Sequence, residues 1–285
     1  MGFTLVAPDQ PKEACALLAR SAPGEISVLA GGTDVLPDVE AGRVRPSRLL
    51  SLRRLPWRTL GWNGGSLTIG STLPLREIEA DPGVRERIPG LAQAVHAVGS
   101  LALRHRATLG GNLGRAAPTS DLLPILLTLD AVVNLVGVDA SRSVPVDQFV
   151  VASRSTTLRP GELIASITIP EARPSQYVWQ RVRPSNDISQ VGVAAARASR
   201  PPYWRIALGG VVPRSIRLEG AERLLPAERP LVSELEAAAA LAARLAPFAT
   251  DKRASEAYRR QLVGILVRRA VASISPPIVP PVGVA

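Results

Sequence analysis

Apolar and polar positions alternate in patterns that divide the chain into three stretches and a tail. Residues 1–55 read as a small α/β unit. Pro11 to Ser21 carries proline at a helix start and apolar positions at Ala14, Leu17 and Leu18, the spacing of a helix face. Ile26 to Ala30 reads as a short buried strand running into Gly31-Gly32-Thr33-Asp34. A second helical stretch follows, and then Leu49 to Leu52 as another strand. Residues 56–172 form the second stretch. Ser66 to Gly70 alternates with period two, as a strand does. Leu75 to Ser100 is mostly helical, broken at Asp81-Pro82-Gly83 and Pro89-Gly90. After a glycine loop at 108–112, Asp121 to Leu129 predicts a helix, and Ala131 to Val138 and Leu163 to Ile169 predict strands.

Residues 175–275 hold three strand-like runs, Tyr177–Val182, Ile188–Ala196 and Trp204–Val212, which predict an antiparallel sheet. Two helices follow, Ser233–Leu245 and Ser255–Ala272, the second with Tyr258, Leu262, Ile265 and Leu266 on one face. Residues 276–285 are proline-rich and cannot be helical; they read as a disordered end or an extended arm laid on a partner.

Composition narrows the function classes. The net charge is +10, carried almost wholly by arginine, since Lys12 and Lys252 are the only lysines. The arginines are scattered and only ten residues are aromatic, so the charge does not make a nucleic-acid surface. It suits anionic phosphates or acidic partner subunits instead. Cys15 is the only cysteine, which excludes an internal disulfide and an iron–sulfur cluster held by this chain alone. Two histidines, His96 and His105, make a zinc site improbable; His96 reads as a core or boundary residue. No apolar run is long enough to span a membrane and no secretory signal opens the chain, so a cytoplasmic location is expected.

Two glycine pairs carry the candidate chemistry. The first lies in Leu29-Ala30-Gly31-Gly32-Thr33-Asp34-Val35-Leu36, between a strand and a helix. Without Cβ atoms, backbone N–H groups approach an anion closely, a helix N-terminus adds positive charge, and Thr33 can donate its hydroxyl. A tight strand–helix turn capped by Asp34 is the plainer reading of those residues. The second pair lies in Thr108-Leu109-Gly110-Gly111-Asn112, followed by Pro118-Thr119-Ser120-Asp121. Asp121 is placed to accept from ribose hydroxyls or to cap a helix. Neither segment matches a Rossmann fingerprint or a Walker A loop. Together they suggest a dinucleotide held between two small units.

These motifs resemble the FAD-binding medium subunits of the xanthine dehydrogenase and carbon monoxide dehydrogenase class of molybdenum hydroxylases. Ala30 to Leu36 is similar to the family's loop, A-G-G, then T or Q, then D or S, then L-L. Leu103 to Asn112 resembles its I-R-N-x-A-T-I-G-G-N, and Ala116 to Pro124 its A-x-P-x-x-D-x-x-P. Leu67 to Thr72, Leu158 to Ile164, and Asp251 to Arg259 also resemble family segments, so the likeness runs over about residues 3–272.

The resemblance implies an α+β fold. A two-part FAD-binding domain of the PCMH type (1–55 and 56–172) would precede a C-terminal domain (175–275) with a three-stranded antiparallel sheet and helices. It implies FAD, with the pyrophosphate against Ala30, Gly31, Gly32, Thr33 and Asp34 and against Gly110, Gly111 and Asn112, Thr108 lining the same site, and Leu29, Val35, Leu36 and Leu109 also among the cofactor-binding residues. Asp121 would serve the adenosine side and Ile164 the ring system. Gln180 or Arg181 stands in for the family's ring-contacting lysine, or that contact is weakened. Apart from the resemblance, the Arg104 guanidinium is a candidate to offset phosphate charge, with a surface charge or structural ion pair as the alternative. It implies a molybdopterin-binding large subunit and a small subunit with [2Fe–2S] clusters, assembled as a dimer of heterotrimers. Electrons would pass from the clusters through FAD to an external acceptor. The chain departs from the family pattern at His105, at Arg115, and around Trp179-Gln180-Arg181, where a lysine is common. Those departures leave open a non-catalytic scaffold that has lost or weakened FAD binding. A free-standing flavin oxidase is disfavoured, because no motif for covalent flavin attachment and no evident general base are present.

Overall fold

A computed structural model describes residues 2–184, 186–199, 201–210, 214–276 and 278. The expectations for Val211, Val212 and nearly all of the proline-rich tail lie outside those residues. The chain forms two compact units that do not follow its linear order. The first comprises residues 1–78, 100–117 and 130–171; the second comprises 79–99, 118–129 and 172–285.

The first unit contains a parallel sheet in which the central strand Arg48–Ser51 pairs with both Thr4–Val6 and Ile26–Leu29. The helix Pro11–Ala19, with proline in its first turn, lays Ala14 and Cys15 on Leu50 and Leu52. A five-stranded antiparallel sheet runs Leu60–Asn63, Ser66–Gly70, Leu163–Ile169, Val132–Val136, Ser141–Pro145. Leu163 from its middle strand joins the core of Ala14, Leu50, Leu55 and Trp57, so one apolar cluster ties the two sheets. The strand Thr4–Val6 is too short, and Leu60–Asn63 too glycine- and asparagine-rich, to announce itself by alternation.

The second unit is built on an antiparallel sheet of four strands among the described residues. Its strands are Ser175–Gln180, Val191–Ser199, Pro202–Gly209 and the two-residue Ile216–Arg217. The three long strands match the expected runs, each shifted by two or three residues; the fourth is an addition to the three expected. Val191–Ser199 is buried on both faces, which is why it reads as a continuous small-apolar run rather than an alternation. Val191, Val193 and Ala195 face the helices Val232–Leu245 and Glu256–Ile274. The other face meets Leu122–Thr128, where Gly209 leaves room for the Pro124 ring.

Side-chain caps place the helix starts. Asp81 accepts from Val84 N–H at 2.8 Å, and Ser255 from Tyr258 N–H at 3.2 Å. The expected face of the last helix needs correction. Leu262 and Leu266 are buried, but Tyr258 and Ile265 are exposed, and the buried stripe continues through Val263, Val267, Ala270 and Val271. The sheet meets the helix about one residue round from the side that Tyr258 and Ile265 mark.

Candidate functional site

Both glycine pairs belong to the first unit, and they meet there. A Cβ on Gly31 would lie 2.0 Å from the carbonyl oxygen of Arg106, so only glycine lets the first turn rest on the backbone leading into the second. Gly32 follows at φ +80°, a conformation that side chains rarely adopt. The turn it makes leaves the N–H groups of Gly31, Gly32, Thr33, Asp34 and Val35 with no acceptor among the described residues. Leu36 is the first to close a helical bond, onto Gly32. Five consecutive open donors at a half-buried turn form an anion cradle, because such groups are otherwise satisfied.

The second glycine pair is not a loop. Leu109–Arg115 is a helix, so Gly110 and Gly111 occupy its first turn. Thr108 caps it, its hydroxyl accepting from Gly111 N–H at 3.0 Å. Leu109 and Leu113, one turn apart, bury the same face. Ala116 ends the helix in the left-handed region, at φ 48°. Gly110 packs on Ser71, where a Cβ would come within 2.5 Å of that side chain, and its N–H donates to Ser71 O at 3.2 Å. The hydroxyls of Ser71 and Thr72 are buried and have no hydrogen-bond partner among the described residues. Ile164 lies against the same helix, 3.7 Å from where a Cβ on Gly114 would sit. Both helices are short, Val35–Glu40 having six residues and Leu109–Arg115 seven, so their dipoles add little and the open N–H groups dominate.

Thus Leu29 to Leu36, Thr108 to Asn112 and Ile164 are gathered in one unit. Asp121 and Gln180 lie in the other. Asp121 is buried and its side chain caps nothing. Its Oδ1 accepts from Tyr177 Oη at 2.7 Å and from Ser189 Oγ at 2.6 Å. Burial pushes its carboxyl above the usual range, against the lowering effect of those two hydrogen bonds and the Arg181 charge. Burial and the Asp121 charge hold the Tyr177 phenol well above its ordinary value. Gln180 ends its strand with its amide on Arg181 O at 3.0 Å. Arg181 is itself occupied, donating to Ala97 O at 3.0 Å and covering the Trp179 ring.

Arg104 is buried, while His105 is exposed beside it. His96 is a surface residue rather than a core one, hydrogen-bonded through Nδ1 to Glu79 at 2.8 Å. Sequence reading missed the Arg115 contacts: its Nη1 lies 2.7 Å from Asp38 Oδ2 and its Nε 3.6 Å from Asp34 Oδ1. A basic residue one turn beyond the glycine pair, with two acids after the first pair, was the only signal of that contact. No group of three or more potential metal ligands occurs among the described residues.

An open row of N–H donors and a backbone approach that needs Gly31 are features a diphosphate-containing cofactor fits. The comparisons agree. Residues 1–172 match the family described as the FAD binding domain in molybdopterin dehydrogenase, and residues 177–274 match the CO dehydrogenase flavoprotein C-terminal domain. The chain is 28% identical to the carbon monoxide dehydrogenase medium chain of Hydrogenophaga pseudoflava, over 94% of this chain and 96% of that one. It is 29% identical to the nicotine 6-hydroxylase medium subunit of Paenarthrobacter nicotinovorans, over 93% and 94%. Its fold superposes with a TM-score of 0.88 on a chain of the H. pseudoflava carbon monoxide dehydrogenase structure, at 27% identity and covering 96% and 97%. Quinoline 2-oxidoreductase from Pseudomonas putida 86 gives the same TM-score at 26% identity, covering 96% and 97%. The chain belongs to the family of FAD-binding medium subunits of molybdenum hydroxylases, oxidoreductase complexes of the carbon monoxide and xanthine dehydrogenase type.

Proposed function

We propose that this chain is the electron-transfer subunit of a heteromeric molybdenum hydroxylase. A molybdopterin-binding large subunit oxidises the substrate, and a small subunit carries [2Fe–2S] clusters that deliver electrons to this one. FAD, when bound, supplies the redox chemistry that hands those electrons to NAD, a quinone or oxygen. The assembly is a cytoplasmic dimer of heterotrimers that binds no nucleic acid. The relatives' designation as medium chains or medium subunits supports a multi-subunit setting. No helix among the described residues is long and apolar enough to cross a membrane.

The observation that carries this reading is the row of five N–H groups at 31–35 with no acceptor among the described residues, held by the contact of Gly31 with the Arg106 carbonyl. Leu29 to Leu36 bind the pyrophosphate through backbone donors and the Thr33 hydroxyl. Thr108 to Asn112 supply the second wall. Asp121 serves the adenosine side through the oxygen that Tyr177 and Ser189 leave free. Ile164 and Gln180 serve the ring system. The domains are 1–55 and 56–172 for the cofactor, 175–275 as the C-terminal flavoprotein-like domain, and a tail at 276–285.

The test is flavin content and electron uptake. The complex purified from its native host should hold one FAD per copy of this chain, and substrate should bleach the flavin band. A complex with full subunit stoichiometry and no flavin sinks the reading in favour of a scaffold subunit that kept the fold. Arg115 does not favour that scaffold alternative: its guanidinium is turned onto Asp34 and Asp38.

A further inference from the structure

The first glycine turn carries a charge problem that its backbone donors do not solve. Asp34 and Asp38 place two carboxylates at and just inside the start of the helix Val35–Glu40, beside the donors that would meet a diphosphate. The Asp34 side chain is 56% exposed, whereas that of Asp38 is only 7% exposed. Uncompensated, both would repel an anionic ligand. Two arginines compensate them. Arg43 Nε donates to Asp38 Oδ1 at 2.6 Å, and its Nη2 to Pro37 O at 3.3 Å. Arg115 takes the other Asp38 oxygen at 2.7 Å and reaches Asp34 at 3.6 Å.

The origin of Arg115 matters as much as its charge. It is the last residue of Leu109–Arg115, the helix that starts with the second glycine pair. One side chain therefore ties that helix to the acids that follow the first pair. The guanidinium fork suits this bridge; a lysine ammonium, a compact point charge, does not span two carboxylates equally.

We propose that Arg115, a departure from the family pattern, is a positioning residue for the FAD diphosphate. It neutralises Asp34 and holds the two glycine turns in register. The proposal rests on the reading that this chain binds FAD. Its test uses the full chain, stripped of flavin and titrated with FAD while flavin fluorescence is followed. Arg115→Ala should raise the Kd about tenfold, the size of losing one partly screened charge contact. Asp34→Asn, at an exposed side chain that caps nothing, should tighten FAD about threefold by the same screened term. Combining the two substitutions should bring the Kd to within about 1.5-fold of the wild-type value, closer than the roughly threefold weakening that uncoupled effects of a merely structural arginine would leave.

Arg115→Ala with wild-type affinity overturns the proposal, and so does weaker binding by Asp34→Asn. If Arg115→Ala does not fold, the Asp34→Asn measurement decides alone. Wild-type chain that takes up no FAD sinks the functional reading and the clamp together. Wild-type uptake with no effect of either substitution sinks only the clamp.

Discussion

Gly31→Ala is the sharpest perturbation of the cradle. The added Cβ would lie 2.0 Å from Arg106 O and 2.7 Å from the carbonyl carbon, both backbone atoms that no rotamer change can move. Restoring ordinary contact near 3.4 Å requires the turn and the Arg106 backbone to part by about 1.4 Å. A shift of that size takes a backbone N–H out of hydrogen-bonding range of an oxygen it had met near 2.9 Å. Each bond to a charged oxygen contributes about 1.5–3 kcal/mol, so losing two costs about 3–6 kcal/mol. FAD affinity should then fall by roughly two to four orders of magnitude. The forced separation should also destabilise the apoprotein, by about 1–3 kcal/mol. The assay pairs fluorescence titration of the stripped chain with FAD and thermal melting of the same sample. Gly61→Ala is the control, because a Cβ there meets nothing within 4 Å, and it should change neither quantity. Gly31→Ala binding FAD as tightly as wild type would refute the claim that this close approach shapes the cofactor site.

Three further expectations concern stability. Gly192→Ala would drive a methyl to 2.1 Å from the Tyr177 hydroxyl and expel it from Asp121, so the melting temperature should drop by several degrees; an unchanged melt would show the network is dispensable. Trp204 is 2% exposed and donates from its indole to Pro226 O at 3.1 Å, so Trp204→Ala should cost about 3–5 kcal/mol in denaturant unfolding. Asp38 is held below the usual carboxylate range, first by its hydrogen bond from Arg43 and then by Arg115. Its contribution is therefore present above the unfolded-state value and lost as pH falls through the lowered folded-state value. Asp38→Asn should melt below wild type at neutral pH, with the gap closing in acid; a gap constant with pH would contradict the charge-based account.

Much of this protein is local and therefore legible in the sequence. Period-two and period-3.6 patterns located the strands Ser66–Gly70 and Leu163–Ile169 and the helices Pro11–Ala19 and Val232–Leu245, because each reflects burial of one face of one segment. The glycine pairs at 31–32 and 110–111 are only suggestive alone and point to the cofactor-binding family together with the motifs around them; Gly31 and Gly110 are where the structure requires glycine for close approach. Tertiary structure decided the rest, through partners far apart in sequence. Gly31 meets Arg106, and Asp121 bonds residues 56 and 68 positions away. Whether Thr108 to Asn112 is loop or helix depended on Leu109 and Leu113 finding a buried face and on the Thr108 cap; two glycines by themselves argue against helix. Which side of Glu256–Ile274 is buried depended on where the sheet lay, because a helix with apolar residues around more than half its circumference does not name its own inner face. Arg115 is the clearest case: charge type and position are written in the sequence, but its pairing with Asp34 and Asp38 exists only once the two glycine turns are folded together.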